Sequence, residues 1–222
     1  MAVDRRDVTR HREDLARQLL DQRLVAVIRT STLDQARQAA RAVIQGGIRL
    51  VEITMNVPDA PELIEELSGQ APKGVLVGAG SVVHAEQAKM AIGAGADFVV
   101  SPIRQVNLVR ICHQVGVPCI LGALTATEIV EAHRAGADQV KVFPVGLVGG
   151  PRYLQQILGP LPGLHLMASG GVTLGNFREY LAAGARTLVL GSDLFNPAWI
   201  EAGDYSSITR RAREYVQALA EG

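Results

Sequence analysis

Apolar residues along the chain fall into short, nearly continuous runs rather than a strict apolar–polar alternation. The runs span 24–28, 50–54, 75–79, 98–100, 119–121, 140–143, 165–168 and 188–190. Continuous apolar strands suit a parallel sheet covered on both faces. Between them lie polar–apolar helical patterns that begin near Ser31, Asp59, His84, Arg104, Thr125, Gly150, Thr173 and Ser206. Suitable caps precede several of these: Ser31 or Thr32, Asp59 before Pro61 and Glu62, and Thr125 with Glu128 as a capping box. A glycine recurs where a helical pattern meets the next strand, at Gly47, Gly95, Gly116, Gly136 and Gly184, with spacings of 48, 21, 20 and 48. These spacings correspond to helix–strand units of roughly 20 to 24 residues. The glycine is expected just past the helix end, where positive φ is needed. Eight strands alternating with eight helices predict an α/β fold, a closed (β/α)8 TIM barrel, as one domain over residues 1–222. An open doubly wound sheet is the alternative and would need a topological switch point.

The N-terminal stretch carries Arg5, Arg6, Arg10, Arg12 and Arg17 but mixes in Asp4, Asp7, Glu13 and Asp14. That mixture predicts an extra amphipathic helix over about 5–20, with Val8, Leu15 and Leu19 inward, rather than a targeting segment. The 222 residues hold 22 basic and 22 acidic side chains, and only 4% are aromatic. Zero net charge and few aromatics argue against a nucleic-acid partner. No apolar run is long enough for a membrane span. Cys112 and Cys119 read as reduced thiols of a cytoplasmic protein. The five histidines are scattered, so no metal site is expected.

In a barrel of this kind the chemistry lies at the C-terminal strand ends. Of the 22 basic residues only three are lysines, and one, Lys141, lies inside an apolar strand. Desolvation penalises a charged amine, and the neutral amine is the form that attacks a ketone. A lysine in that place could equally pair with a carboxylate or hold a phosphate. Alternation in the second strand turns Glu52 inward together with Thr54. An inward carboxylate near a lysine is either a structural ion pair or a general acid/base. Arg29 ends the first strand and suits a carboxylate or phosphate, with a surface salt bridge as the competing role. Gly78-Ala79-Gly80-Ser81 allows close backbone approach and offers a hydroxyl. Ser169-Gly170-Gly171 and Gly191-Ser192 follow the seventh and eighth strands, where such barrels hold phosphate. Each could also be a tight structural turn, but two such turns point to phosphate.

The segments VEITMNVPDA, VGAGSV, VVSP, KVFP, ASGGV and LGSDLF, in this order, resemble the 2-keto-3-deoxy-6-phosphogluconate (KDPG) and 4-hydroxy-2-oxoglutarate aldolase family. The likeness runs from about residue 25 to 194. It implies a class I aldolase on a trimeric barrel that needs no metal or other cofactor and takes small 2-keto acids, with pyruvate as a product. Lys141 matches the Schiff-base lysine and Glu52 the general acid/base. Ser81 stands where the family usually has Thr near the pyruvate carboxylate. Arg29 matches an arginine of part of the family, Pro102 borders the pyruvyl group, and Phe143 belongs to the Lys-x-Phe-Pro motif. Gly170, Gly171 and Ser192 match the phosphate-binding turns, Gly191 adjoins them, and Ser169 stands where Thr is common and keeps the hydroxyl. Asn56 stands where some members carry a carboxylate-binding Arg, and Asn there resembles the phosphogalactonate branch. The implied reaction is cleavage of KDPG to pyruvate and glyceraldehyde 3-phosphate. Phosphogalactonate-derived and hydroxy-oxoglutarate substrates, or oxaloacetate decarboxylation through the same imine, stay open beside it. A non-covalent phosphate-binding barrel is the competing class.

Overall fold

The computed structural model describes residues 5–221. Eight parallel strands close into a barrel in sequence order: β1 (Leu24–Ile28), β2 (Leu50–Thr54), β3 (Leu76–Gly80), β4 (Phe98–Val100), β5 (Cys119–Ala123), β6 (Gln139–Val142), β7 (Leu166–Ser169) and β8 (Thr187–Leu190). The helices are α1 (Arg5–Gln22), α2 (Leu33–Gln45), α3 (Ala60–Gln70), α4 (Ala85–Gly93), α5 (Asn107–His113), α6 (Ala126–Arg134), α7 (Pro151–Leu158), α8 (Phe177–Ala182), α9 (Pro197–Glu201) and α10 (Tyr205–Ala220). The fold is the expected (β/α)8 barrel, and β8 pairs with β1 to close it. Among the described residues no helix is long and apolar enough to cross a membrane.

The pleat divides each strand's residues between two cores. Val51, Ile53, Ala79, Val99, Leu121 and Val140 face outward into the layer between barrel and helices. Val25, Leu50, Leu76, Phe98, Val100, Ile120, Met167 and Val189 fill the interior. Leu15 and Leu19 of α1 join that interior group, and Leu19 is fully buried. The N-terminal helix thus stoppers the barrel at the N-terminal ends of its strands. Arg12 fastens it there, donating to Asp138 at 3.1 Å. Asp138 also accepts from the Cys119 amide at 2.8 Å and lies 2.9 Å from His113 Nε2.

The five recurrent glycines have φ between 78° and 99°, as helix ends followed by strands require. Thr32 and Thr125 cap α2 and α6, and Glu128 completes the capping box of α6. Hydrogen bonds from the Thr125 and Leu124 amides hold the Glu128 carboxyl below its usual range. Asp59 does not cap α3 with its side chain: it adopts a left-handed backbone (φ 53°), and its carbonyl accepts from Glu62 and Leu63.

Two helices start later than their patterns suggest. The chain after β4 is drawn across the end of β5, where Gly122 donates to Ile103, so α5 begins at Asn107 instead of near Arg104. Asn176 ties the Thr173 amide and the Gly171 carbonyl into a turn, which delays α8 to Phe177. A 3-10 turn (Val145–Val148) and the short helix α9 are additions to the expected pattern.

Truncating the stopper tests its contribution. Leu19→Ala is expected to cost about 2–5 kcal/mol, the range for a fully buried leucine. A lowered urea midpoint at unchanged m-value would be the readout.

Candidate active site

At the C-terminal end of the barrel a cavity of about 380 Å³ opens. Its lining includes Arg29, Pro102, Lys141, Phe143, Ser169, Gly170, Gly171, Gly191 and Ser192. Nine of the residues singled out from the sequence therefore converge on one space. Their strands put them there, because each lies at or just beyond a strand's C-terminal end.

Lys141 and Glu52 occupy inward positions of β6 and β2 and meet inside the barrel. Lys141 Nζ donates to Glu52 Oε1 at 3.4 Å, with the lysine 6% and the glutamate 0% exposed. Lys141 lines the cavity, while Glu52 sits behind it. Lys141 Nζ also lies 5.9 Å from the centre of the Phe143 ring. Glu52 Oε2 and Thr54 Oγ1 are buried without a hydrogen-bond partner. Buried polar atoms of that kind are costly unless something bonds to them, and they concentrate where chemistry occurs.

Glycine makes the room for this pair. A Cβ on Gly80 would lie 2.0 Å from Glu52 Oε1, and one on Gly78 would lie 2.4 Å from the Phe98 ring. Gly122 stands opposite Lys141 in the β5–β6 register, and a Cβ there would lie 2.1 Å from the Pro102 backbone. The Gly-x-Gly of β3 therefore admits protein side chains, Phe98 and Glu52, rather than a ligand.

Arg29 Nη2 donates to Ser81 Oγ at 3.1 Å, and Ser81 holds a left-handed backbone (φ 56°). Such a conformation costs a non-glycine residue of order 1–3 kcal/mol and tends to occur at functional sites. Ser81 thus supports the cavity through Arg29 without lining it. Asn56 is exposed on the turn after β2 and stands apart from the lining. Sequence reasoning overlooked the apolar wall, Val27, Val172, Val189 and Phe195. Val27 and Val189 were readable as inward positions of β1 and β8, whereas Phe195 lies in a loop with no periodic signal.

The carbonyls of the two glycine turns are engaged in hydrogen bonds within the protein. Gly170 accepts from the Gly146 amide at 2.9 Å, and Gly171 accepts from Asn176 Nδ2 at 2.9 Å. Gly191 accepts from the Leu194 and Phe195 amides at 3.0 and 2.9 Å. Carbonyl and following N–H point in opposite directions across a trans peptide. The amides of Gly171, Val172 and Ser192 are therefore turned the other way.

A family model described as KDPG and KHG aldolase matches residues 15–211. The chain belongs to that family. As a member it is an aldolase, a carbon–carbon lyase. It is 38% identical over 198 residues to the 2-dehydro-3-deoxy-phosphogluconate aldolase of Treponema pallidum (strain Nichols), covering 89% of this chain and 93% of that one. A solved native KDPGal structure superposes with a TM-score of 0.81 at 32% identity, covering 89% of this chain and 94% of that one. KDPG aldolase from Legionella pneumophila, with pyruvate captured at low pH as a covalent carbinolamine intermediate, gives a TM-score of 0.81 at 28% identity, covering 90% and 96%.

Because Gly80 makes space for the carboxylate, Gly80→Ala should displace Glu52 from Lys141. Aldolase turnover is expected to fall about 10²-fold, the usual effect of a misplacement near 1 Å. An unchanged circular dichroism spectrum would show that the barrel still forms.

Proposed function

We propose that the chain cleaves 2-keto-3-deoxy-6-phosphogluconate to pyruvate and glyceraldehyde 3-phosphate through a Schiff base on Lys141. The observation that carries this reading is the buried Lys141–Glu52 contact at the wall of the cavity. Lys141 Nζ attacks C2 of the keto acid, and loss of water from the carbinolamine gives the iminium. Glu52, adjacent to that nitrogen, shuttles the protons of this step. It then accepts the C4-hydroxyl proton through a water. The C3–C4 bond breaks because the iminium takes up the electron pair, releasing the aldehyde and leaving an enamine. Proton return to C3 and hydrolysis free pyruvate and the amine.

The remaining residues take binding roles in this proposal. Arg29, steadied by Ser81, holds the substrate carboxylate, with Pro102 and Phe143 flanking the pyruvyl group. Ser169, Gly170, Gly171, Gly191 and Ser192 receive the phosphate. Amides after two strands, free of the bonds that engage the neighbouring carbonyls, supply the positive edge an anion needs. Asn56, exposed beyond the cavity, contacts only the distal part of a long substrate. A homotrimer follows from the family resemblance, and exposed Ile103, Val106, Leu147 and Val148 supply apolar surface for it. Two free, buried cysteines agree with a cytoplasmic setting.

Borohydride reduction in the presence of pyruvate should add a reduced pyruvyl group to Lys141, located by peptide mass mapping. An unmodified Lys141 would overturn the Schiff-base reading. Lys141→Arg should abolish turnover, because arginine keeps its proton. A non-covalent barrel would instead tolerate the change. Rates on the phosphogluconate-derived, phosphogalactonate-derived, hydroxy-oxoglutarate and oxaloacetate substrates should be highest for the first. Ser192→Ala should raise KM for the phosphorylated substrates about tenfold, the equivalent of one hydrogen bond to a charged group.

A further inference from the structure

Asp193 follows Ser192 immediately, which puts a carboxylate beside the turn proposed to receive a phosphate. A bare negative charge there would oppose the anion. Its surroundings show how that charge is used. Asp193 Oδ2 accepts from the Leu174 amide at 3.3 Å, from Arg211 Nη1 at 3.1 Å and from the Tyr215 hydroxyl at 2.7 Å.

The three donors come from two separate places. Leu174 lies in the turn after β7, two residues beyond Val172 of the cavity wall. Arg211 and Tyr215 lie on α10, the last helix. Asp193 therefore ties the turn after β7 to the turn after β8 and fixes both to α10. The α10 side of the tie is itself held firmly. The Tyr215 ring is fully buried and packs edge-on against Phe177 at 5.7 Å, at the start of the helix that follows the first turn. Arg211 also pairs with Glu214 at 3.0 Å and lies 5.9 Å from the centre of the Trp199 ring. Burial and the neighbouring carboxylate hold the Tyr215 phenol well above its usual range, so the hydroxyl is a constant donor.

We infer that Asp193, charge-compensated by Arg211 and Tyr215, is a positioning residue that sets the spacing of the two glycine turns and so the enzyme's preference for phosphorylated over unphosphorylated 2-keto acids. This inference rests on the phosphate reading of those turns. Asp193 touches no reacting atom and acts through Leu174 and Ser192. A three-donor acceptor bridging two loops holds them at one separation, and a phosphate contacting both needs that separation. Removing Arg211 while keeping Asp193 leaves a carboxylate beside the anion with its main compensating charge gone. Removing both relieves the repulsion but not the lost tie.

The test is a set of steady-state measurements on the full-length enzyme with two substrates, KDPG and unphosphorylated 4-hydroxy-2-oxoglutarate. Arg211→Met and Tyr215→Phe should each raise KM for KDPG about tenfold or more, the loss of one hydrogen bond to a charged group. Their KM and kcat for hydroxy-oxoglutarate should stay within about twofold of the parent enzyme. Arg211→Met combined with Asp193→Asn should recover part of the KDPG affinity lost in Arg211→Met alone. A merely structural role would move both substrates together, and that result overturns the inference. It is equally overturned if Ser192→Ala weakens KDPG selectively while Arg211→Met and Tyr215→Phe do not, in which case the phosphate site stands. If the parent enzyme gains no affinity from the phosphate and Ser192→Ala changes nothing, the phosphate reading itself falls and the inference with it.

Discussion

A lysine and a glutamate share the dry interior of the barrel, and much of the surrounding architecture exists to make that tolerable. Removing two charges from water is costly, and their mutual attraction repays it only in good geometry. The contact is 3.4 Å, with one carboxylate oxygen and a nearby threonine hydroxyl left unpaired. It is a poor arrangement for stability and a useful one for chemistry. Catalytic groups are commonly held in environments a stable core would avoid. The glycines of β3 and β5 are the steric counterpart of this electrostatic arrangement. Each omits a side chain so that Glu52, Phe98 or the Pro102 backbone can stand there.

The rest of the barrel grades outward from that pair. Below it the interior is mostly apolar down to the leucines of α1, interrupted by a buried hydrogen bond from Thr187 to Gln139. Above it the wall is mixed, with valines and Phe195 alternating with Arg29, glycine turns and Ser192. The gradient sorts a substrate by polarity. In the proposed reading a keto group enters the drier zone near the amine, and charged ends remain near the exposed donors. This sorting is the usual logic of a largely apolar pocket with a few convergent polar groups.

What could be read in advance follows from how local each signal is. The barrel was legible because apolar runs and helix-end glycines repeat within about 20 residues, and all five glycines adopt the positive φ assigned to them. Glu52 and Lys141 were legible because a charge inside an apolar strand contradicts its neighbours. Asn56 was less so: its sequence position suggested the cavity, and on the turn after β2 it is exposed and not part of the lining. The late starts of α5 and α8 were hidden because Gly122 and Asn176 redirect the backbone through bonds that no local pattern encodes. The tie at Asp193 was hidden for a similar reason, since its partners lie 18 to 22 positions away. The Gly-x-Gly of β3 shows the opposite failure: the need for close approach was recognised, but its beneficiary is the enzyme's own side chains.

The packed interior, with α1 lying across its far end, also governs traffic. A barrel shut at one end has a single doorway, so whatever enters and whatever leaves must use the same opening in turn. In a cleavage that leaves one fragment covalently attached at depth and frees the other nearer the rim, the freed fragment stands between its partner and the exit. Departure is then sequential by geometry, aldehyde first and keto acid last. In the synthetic direction the queue reverses, and the keto acid must be seated before the aldehyde arrives.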